Sequence, residues 1–482
     1  MSALRYTVPS IEHLREEVEK KFGYKPCLFQ ARDAIQQLER KKHCITIART
    51  GLGKTLTFWI PLLFNGGGIK IIVTALNVLG AQNVKELEQL GIPGVNITGA
   101  SATPAVYQDI AAGKYRVIII SPEKILEDVD FIKLWDNKNF TEWGKKFRPD
   151  YAGLEQLSWL VPEGLRFHVV TATMPESVLR DVKTTLRMKD EHTEIIQRSN
   201  DRPTIHILVE EMRYPANGMK DIERILRAHR WGESEDRPPP FMIFVNKRRE
   251  AESGVERMWE NMPAWLNSKV VWFHSGMSAK FREETIENFR TGEVWGGFYT
   301  DAGGMGLDLP CVELVIQYRY TDSLSTLVQR IGRGARAQGT EATAIYLVEP
   351  QHFDYRKEEA LEKAAKDKGK GSRSKRKGGH LDGLPAPKKQ KKASTATSAC
   401  TIPGNQAPIN ASASDHGAPP ATTQSAYAWP TCLPDRRSVS LEAYERLAMD
   451  LFINSRTRRA CRRAVISDYF GNSNPGKPKA FD

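Results

Sequence analysis

Paired cysteines, long apolar runs and an excess of acidic residues are all missing from this sequence of 482 residues. Its six cysteines are widely scattered and form no CxxC pair, so neither a closed zinc site nor a disulfide framework is indicated. The longest apolar run, residues 56–64, is interrupted by Thr57 and Pro61 and is too short to cross a bilayer. The composition therefore predicts a protein of a reducing compartment that has no membrane span.

Basic residues are what the sequence has in surplus. Lysine and arginine number 70 against 58 acidic residues, which gives a formal net charge of +12. A surplus of this size favours a polyanionic partner, either nucleic acid or an acidic membrane face. Charge alone does not choose between these partners, and a soluble basic protein without either is equally compatible with it.

Short runs rich in valine and isoleucine alternate with amphipathic stretches over residues 1–350. The candidate strands are residues 43–48, 70–75, 116–121 and 167–171, followed by 241–245, 269–273, 297–300, 312–318 and 343–348. Near-continuous apolar strands separated by helical patterns predict an α/β fold of parallel sheets covered by helices on both faces. Two similar sheets joined near residues 197–203 fit this length better than one sheet of nine strands.

The composition changes abruptly after about residue 351. A helical pattern at 358–368 leads into a basic, glycine-rich run at 366–392. Residues 393–426 are mainly Ala, Ser, Thr, Pro and Gly, which bury too little surface to offset the entropy of ordering, so we expect disorder there. Helical spacing of apolar residues returns at 439–470.

A glycine-rich loop, residues 48–55 (ARTGLGKT), stands between the first candidate strand and a helical pattern. Gly51 and Gly53 allow backbone N–H groups to close around phosphate oxygens, where a Cβ would obstruct them. Lys54 would reach the terminal phosphates, and the Thr55 hydroxyl would bind Mg²⁺. Thr50 completes the predicted nucleotide contacts of this phosphate-binding loop. The alternative is an accidental glycine-rich turn before a helix.

Further short strings surround this loop in a fixed order. They are FGY at 22–24 with Gln30, SPEK at 121–124, WGKKFRPDY at 143–151, TAT at 171–173, FHSGM at 273–277, TDAGGMGLD at 300–308 and QRIGRGAR at 329–336. In this order they resemble the motifs of RecQ-like DNA helicases of superfamily 2, in which an alanine such as Ala48 is an expected start of the phosphate-binding loop. The resemblance covers about residues 20–350 and implies two RecA-like lobes with ATP and DNA at their junction.

The resemblance also implies roles for individual residues. Gln30 would hydrogen-bond the adenine edge, and Tyr24 would offer it a stacking face. Asp308 belongs to a glycine-rich motif that touches both nucleotide and DNA. Exposed aromatic and basic groups suit base stacking and phosphate neutralisation. The predicted DNA contacts are Trp143, Phe147, Arg148, His274 and Ser275.

The arginine motif, residues 329–336, carries the implied catalytic groups of the second lobe. Arg333 and Arg336 are three residues apart, so on a helical turn they would project together. Across a cleft they would meet the terminal phosphate as arginine fingers and stabilise charge during phosphoryl transfer. Gln329 and Lys54 complete the set of predicted catalytic residues. A pair of arginines on a solvated face is the alternative interpretation.

One motif of the family is missing. RecQ-like helicases carry a DExH motif on a strand before the aromatic-rich loop, but residues 131–143 contain neither such a string nor a Val/Ile-rich strand. Glu127, Asp128 and Asp130 lie nearby in a polar stretch and are not assigned the role. We expect the loss of this strand, beside the strand of the phosphate-binding loop, to leave unpaired backbone groups and a cavity. Either the sequence is an incomplete version of an active helicase, or it is a degenerate relative that binds without turnover.

The C-terminal region adds two expectations. Basic clusters at 372–377 and 387–392 resemble a bipartite nuclear localisation signal; the alternative is a polybasic tail with non-specific DNA affinity. Cys461 begins a CRR…YFG segment similar to the start of the RecQ zinc subdomain, but no further cysteine follows it before Asp482. A lone cysteine does not close a tetrahedral site, so we expect no zinc.

The sequence thus predicts an ATP- and Mg²⁺-dependent helicase acting 3′ to 5′ on single-stranded DNA and duplex junctions, in repair and recombination. The predicted segments are a first lobe (1–202), a second lobe (203–350), a disordered basic linker (351–438) and a truncated helical remnant (439–482). The rival hypotheses are a non-catalytic, nucleotide-responsive DNA-binding protein and an RNA helicase. The oligomeric state stays open.

Overall fold

The structure, a computed structural model, describes residues 6–74, 77–136, 146–148, 165–227, 230–231, 237–301, 309, 311–337, 339–371 and 429–472. Over these residues the chain forms two parallel sheets, one of seven and one of six strands. Helices cover both faces of each sheet, as the sequence predicts, so the α/β fold with two RecA-like lobes is confirmed. Within the described residues, no helix combines the length and apolar character that a membrane span requires.

The first lobe holds the seven-stranded sheet. Its strands are β1 (His43–Ile47), β2 (Lys70–Val73), β3 (Gly94–Ile97), β4 (Val117–Ile120), β5 (Lys146–Arg148), β6 (Arg166–Thr171) and β7 (Thr193–Gln197). Its helices are α1 (Ile11–Phe22), α2 (Leu28–Glu39), α3 (Leu56–Phe64), α4 (Asn77–Gln89), α5 (Pro104–Ala111), α6 (Pro122–Glu127), α7 (Val129–Lys133) and α8 (Glu176–Thr185). The strand order is β3-β4-β2-β5-β6-β1-β7.

Alternation along the strands divides the core of this lobe between two layers. Ile71 and Val73 of β2 belong to one apolar cluster, whereas Ile72 between them belongs to the cluster on the opposite face. Successive side chains of a strand point to opposite faces, so a strand covered on both sides must be apolar throughout. This explains why β4 and the last three residues of β2 are uniform apolar runs in the sequence.

The second lobe holds the six-stranded sheet, in the order β10-β11-β9-β12-β13-β8. Its strands are β8 (Ile205–Glu211), β9 (Phe241–Phe244), β10 (Val270–Phe273), β11 (Gly296–Tyr299), β12 (Leu314–Tyr318) and β13 (Ala342–Val348). Its helices are α9 (Lys220–Leu226), α10 (Arg248–Glu260), α11 (Ala279–Thr291), α12 (Leu324–Ile331), α13 (Asp354–Gly371), α14 (Leu441–Ile453) and α15 (Arg462–Tyr469). The chain passes from the first sheet to the second between Gln197 and Ile205.

The expected gap in the first sheet is not present. The three residues of β5 lie between β2 and β6, with Phe147 in register with Ile71 on one side and Phe167 on the other. The neighbours of β1 are β6 and β7, so the predicted position of the missing strand, beside β1, was wrong as well. Phe147 and Arg148 were expected in a DNA-binding loop, but their backbone forms an interior strand.

The C-terminal helices are part of the second lobe. Met449, Phe452 and Tyr469 share one apolar cluster with residues of the six-stranded sheet. Below them, the buried guanidinium of Arg458 contacts Asp354 and Asp450, each at 2.6 Å from its Nη2 atom. The helix expected at 358–368 extends over Asp354–Gly371, which corrects the predicted start of the disordered linker at 351. Residues 372–428, including both basic clusters, lie outside the described residues.

Candidate nucleotide site between the lobes

The phosphate-binding loop connects β1 to α3, as the sequence predicts. Gly51 and Gly53 have φ angles of +79° and +68°, in the left-handed region that disfavours a side chain. A Cβ built on Gly53 would lie 2.6 Å from Nε2 of Gln30, so a side chain at this position would displace the Gln30 amide. The half-buried Thr55 precedes the first residue of α3, whose N-terminal dipole end faces the loop. The loop therefore has the cradle that fits a phosphate group.

Gln30 is buried against this loop. Its Nε2 donates to the carbonyl oxygens of Gly53 at 2.9 Å and Leu52 at 3.4 Å, and its Oε1 accepts from the backbone N–H of Cys27 at 2.9 Å. Both ends of the amide are thus bound within the protein, and its role in adenine recognition stays a prediction. Tyr24 is 45% exposed, and partial burial raises the pKa of its hydroxyl. An exposed ring at this place is compatible with stacking.

Two side chains of the loop donate hydrogen bonds to backbone carbonyl oxygens. The Lys54 ammonium donates to the carbonyl oxygen of Arg49 at 2.9 Å, a contact made within the loop itself. The Thr50 hydroxyl donates to the carbonyl oxygen of Gly332 in the second lobe at 3.0 Å. Lys54 and Thr55 are the groups that would hold a triphosphate and its Mg²⁺, which supplies charge neutralisation when bound.

The arginine motif meets the phosphate-binding loop from the opposite lobe. A Cβ on Gly332 would lie 2.6 Å from the Thr50 hydroxyl oxygen, so a side chain here would displace this contact between the two lobes. Helix α12 ends at Ile331, and Arg333 and Arg336 lie in the turn that follows it. The prediction that they share a helical turn was therefore wrong, because Gly332 caps the helix and Ala335 has a φ of +50°. Both arginine side chains are half-buried.

Gln329 links the arginine motif to the TAT motif of the first lobe. Its Nε2 donates to the Thr173 hydroxyl at 2.6 Å, and the Ser325 hydroxyl is 3.0 Å from the same oxygen. Thr173 follows β6, so a displacement of either lobe changes these two hydrogen bonds directly. The sequence placed Gln329 among the catalytic residues; the geometry shows a contact between lobes.

Arg330 is a central residue of this region that the sequence analysis missed. Its guanidinium forms a two-point ion pair with Asp301, both contacts being 2.7 Å, and it also donates to Gln317 at 2.6 Å and Asn246 at 3.0 Å. The side chain is buried, so the pair anchors α12 to the ends of β9, β11 and β12. Its partners belong to three separate segments, a relation that the spacing of a motif does not reveal.

The predicted DNA contacts of the second lobe differ from each other. His274 is buried; its Nε2 lies 3.1 Å from Glu252 and its Nδ1 accepts from the Gly276 N–H at 3.2 Å. It therefore shapes the turn, and its role as a direct DNA contact stays a prediction. Ser275 is exposed, and its hydroxyl accepts from Arg248 at 2.5 Å. Trp143 and Asp308 lie outside the described residues, as do the side chains of Phe147 and Arg148.

Asp33, Cys44 and His168 form a buried cluster in the first lobe. Their possible metal-binding atoms lie within 4.8 Å of one another. The Asp33 carboxylate already accepts hydrogen bonds from Thr46 and Gln37 and lies 3.2 Å from Nε2 of His168. Burial raises the pKa of the Cys44 thiol, and thiolate is the form that binds metals. The cluster is therefore a hydrogen-bonded polar core that joins α2 to the sheet.

Comparisons with known proteins agree with this two-lobed site. Residues 30–182 match the family model described as DEAD/DEAH box helicase, and residues 233–338 match the helicase conserved C-terminal domain. The mouse bifunctional 3'-5' exonuclease/ATP-dependent helicase WRN is 25% identical over 344 residues, which cover 69% of this chain and 23% of that protein. The ATP-dependent DNA helicase RecQ of Haemophilus influenzae is 26% identical over 355 residues, covering 71% of this chain and 54% of that protein.

Solved structures support the same fold. Mss116p bound to single-stranded RNA and AMP-PNP superimposes with a TM-score of 0.59 at 18% identity, over 72% of this chain and 76% of that chain. At this identity the likeness concerns the fold alone. The chain spans about half the length of the bacterial relative and less than a quarter of the mouse protein.

Proposed function

Because this chain is a RecQ-like helicase of superfamily 2, we propose that it couples ATP hydrolysis to 3′-to-5′ movement on single-stranded DNA. In this proposal it unwinds duplex junctions during repair and recombination. The observation that carries the proposal is the direct contact between the phosphate-binding loop and the arginine motif, through Thr50 and Gly332. A nucleotide held by one lobe would therefore be sensed by the other.

Each lobe would contribute different residues to binding and hydrolysis of the nucleotide. Lys54 and Thr55 would hold the triphosphate in the first lobe, while Arg333 and Arg336 would approach it from the second. Closure excludes water and places positive charge where negative charge develops, and opening releases the product. The pair formed by Gln329 and Thr173 would transmit the change to the DNA-binding surfaces of both lobes.

The second candidate is a nucleotide-responsive DNA-binding protein that does not hydrolyse ATP. A specific observation favours it: β5 consists of Lys146, Phe147 and Arg148, and so carries no carboxylate. Residues 131–143 contain no DExH string either. A carboxylate that binds Mg²⁺ and another that orients the attacking water are general parts of such ATPases. In this candidate the lobes still close on nucleotide, without turnover.

A DNA-stimulated ATPase assay on the full chain separates the two candidates. We expect turnover that rises with single-stranded DNA and is lost in Lys54→Ala, because the ammonium neutralises phosphate charge. Lys85→Ala is the matched control: it removes a lysine from α4, outside the phosphate-binding loop, and should leave turnover unchanged. Tight, nucleotide-dependent DNA binding with no hydrolysis in the unaltered chain would support the second candidate.

Unwinding assays test the finer parts of the proposal. Duplexes with a 3′ or a 5′ single-stranded overhang distinguish the direction of movement, and matched DNA and RNA duplexes distinguish a DNA helicase from an RNA helicase. We expect unwinding of the DNA duplex with the 3′ overhang. Preference for the RNA duplex or for the 5′ overhang would contradict the proposal.

Nuclear import is a separate proposal, based on the two basic clusters at 372–377 and 387–392. Fused to a fluorescent reporter, residues 366–392 should direct it to the nucleus of a eukaryotic cell. Replacing the lysines and arginines of both clusters by glutamine should abolish the effect. If the unaltered fusion stays evenly distributed, the clusters are better explained as a polybasic tail.

A further inference from the structure

Arg202 lies at the junction of the two lobes but belongs to none of the motifs that the sequence revealed. It stands in the connection between β7 and β8, and only 7% of the residue is exposed. A buried arginine in a connecting segment is unusual, because charged side chains are rarely buried unless they are paired. Its partners therefore indicate what its burial achieves.

The guanidinium of Arg202 bridges the phosphate-binding loop and the arginine motif. On one side its Nη1 donates to the carbonyl oxygen of Thr50 at 3.1 Å. On the other side Nη1 donates to the carbonyl of Gly332 at 3.2 Å, and Nη2 to those of Gly334 at 2.8 Å and Ala335 at 2.6 Å. The three acceptors in the second lobe stand on both sides of Arg333 in the chain.

The electrostatic surroundings of Arg202 are positive. Burial lowers its pKa to about 10, and the charges of Arg49 and Arg336 add to the effect. The guanidinium is nevertheless protonated at neutral pH, so its planar set of N–H groups donates to several carbonyl oxygens at once. A convergence of cations is favoured when an anion is present, which is the condition that a bound triphosphate creates.

The backbone of Arg202 is itself held from the C-terminal helices. Arg463 of α15 donates to the carbonyl oxygens of Arg202 at 3.0 Å and Ile205 at 2.7 Å, and it also contacts the Asp201 carboxylate. The connection between lobes is thus fixed at its main chain by α15 while its side chain reaches the nucleotide site. Movement of the lobes relative to each other would change the contact of Arg202 with Thr50.

We propose that Arg202 is a positioning residue, which sets the arginine motif in register with the phosphate-binding loop when the lobes close. It does not touch the substrate; it acts by holding the backbone on both sides of Arg333. A planar guanidinium can bridge acceptors on two loops at once, whereas a lysine ammonium at the same place would favour one side. The catalytic part of the inference rests on the proposed ATPase cycle, but the structural part does not.

Hydrogen exchange of the full chain tests the structural part. In Arg202→Gln we expect amide exchange of residues 48–56 and 330–337 to accelerate at least about tenfold, since hydrogen bonds from a charged group are among the stronger ones. Arg202→Lys should accelerate exchange in at least one of the two segments. Arg463→Gln, which loosens the backbone without removing the guanidinium fork, should produce a smaller change in the same segments.

Arg116→Gln is the matched control. Arg116 is a half-buried arginine that also donates to carbonyl oxygens, those of Leu62 at 2.8 Å and Gly68 at 3.3 Å, but these acceptors lie in the first lobe. Exchange in this variant should increase near residues 62–68 and stay unchanged at 330–337. Unchanged exchange at 330–337 in Arg202→Gln, under conditions where the unaltered chain is protected, would overturn the inference.

Nucleotide kinetics test the catalytic part. If Arg202 positions the arginine motif, kcat for ATP should fall about tenfold or more in Arg202→Gln, whereas KM should change less than about threefold. Arg116→Gln should keep both constants. A fall in kcat that occurs equally in the control would contradict a positioning role. Should the unaltered chain show no turnover, the proposed ATPase fails while the exchange experiment still decides the contact between lobes.

Discussion

β1 and β5 are both interior strands of the same sheet, yet they differ in the length over which they pair and in the functional groups that they bring to the site. β1 pairs along four residues with β6 and five with β7, and it leads into a phosphate-binding loop with all its key groups. β5 has three residues, of which two pair with each neighbour, and its own sequence has no acidic group. The groups that would bind the nucleotide therefore follow a long, well-paired strand. The short strand β5 brings no carboxylate that would take part in hydrolysis.

A sheet can therefore be continuous although one of its strands lacks the acidic side chains that the family carries there. Backbone pairing depends on N–H and carbonyl groups, which every non-proline residue has. Lys146–Arg148 supplies them at the position between β2 and β6, so the sheet is continuous although this strand has no acidic side chain. Family membership and catalytic capacity are for this reason separate questions here.

The largest effect is expected from Phe147→Pro, which removes a backbone N–H from the middle of β5. Proline has no N–H donor and is found in sheets almost only at edges, so at the centre of this sheet we expect a loss of more than about 3 kcal/mol in the free energy of unfolding. Denaturant titration of the full chain measures it. Phe147→Ile keeps the N–H and should cost far less; equal effects of the two variants would argue against β5 as an interior strand.

Gly53→Ala tests the phosphate-binding loop that follows β1. Both Gly53 and Gly67 have positive φ angles, so alanine at either position should cost about 1–2 kcal/mol of stability. Only at Gly53 does the added Cβ meet Gln30, whereas a Cβ on Gly67 has no atom within 4 Å. Titration with a fluorescent ATP analogue should therefore show at least about tenfold weaker binding in Gly53→Ala and unchanged binding in Gly67→Ala.

A smaller effect is expected at the start of β1. Burial lowers the pKa of His43 to about 4, and the positive charge of Arg166 acts in the same direction. Since the unfolded chain takes up this proton near pH 6.5, the stability that His43 contributes is complete above that pH and declines as the pH falls toward 4. Its Nδ1 accepts from the Phe167 N–H at 3.1 Å, a bond that protonation removes.

Thermal unfolding between pH 7 and pH 4.5 checks this expectation. His43→Gln should lose less stability on acidification than the unaltered chain, because it cannot take up the proton. His206→Gln serves as a control, since His206 is exposed on β8 in the other lobe. Identical pH dependence of His43→Gln and the unaltered chain would contradict the assignment.

Periodicity made most of the fold predictable. All nine candidate strands are present within one or two residues of their predicted ends, because strands covered on both faces must be apolar throughout. β3, β7 and β8 were missed; they are edge strands that keep one side unpaired and carry polar residues such as Asn96, Glu194 and His206. β5 was missed because nothing in its three residues distinguishes a strand from a loop.

The sequence by itself determined which chemical groups this protein has: a phosphate-binding loop, an arginine motif, and no DExH string. These follow from local order, since a motif requires its residues at fixed spacing. Only the tertiary structure decided which groups meet. Arg202, Arg330 and the pair of Gln329 with Thr173 make contacts across 13 to 156 positions of the chain. Such contacts depend on how helices and strands pack within a lobe and on how the two lobes meet, which no local pattern encodes.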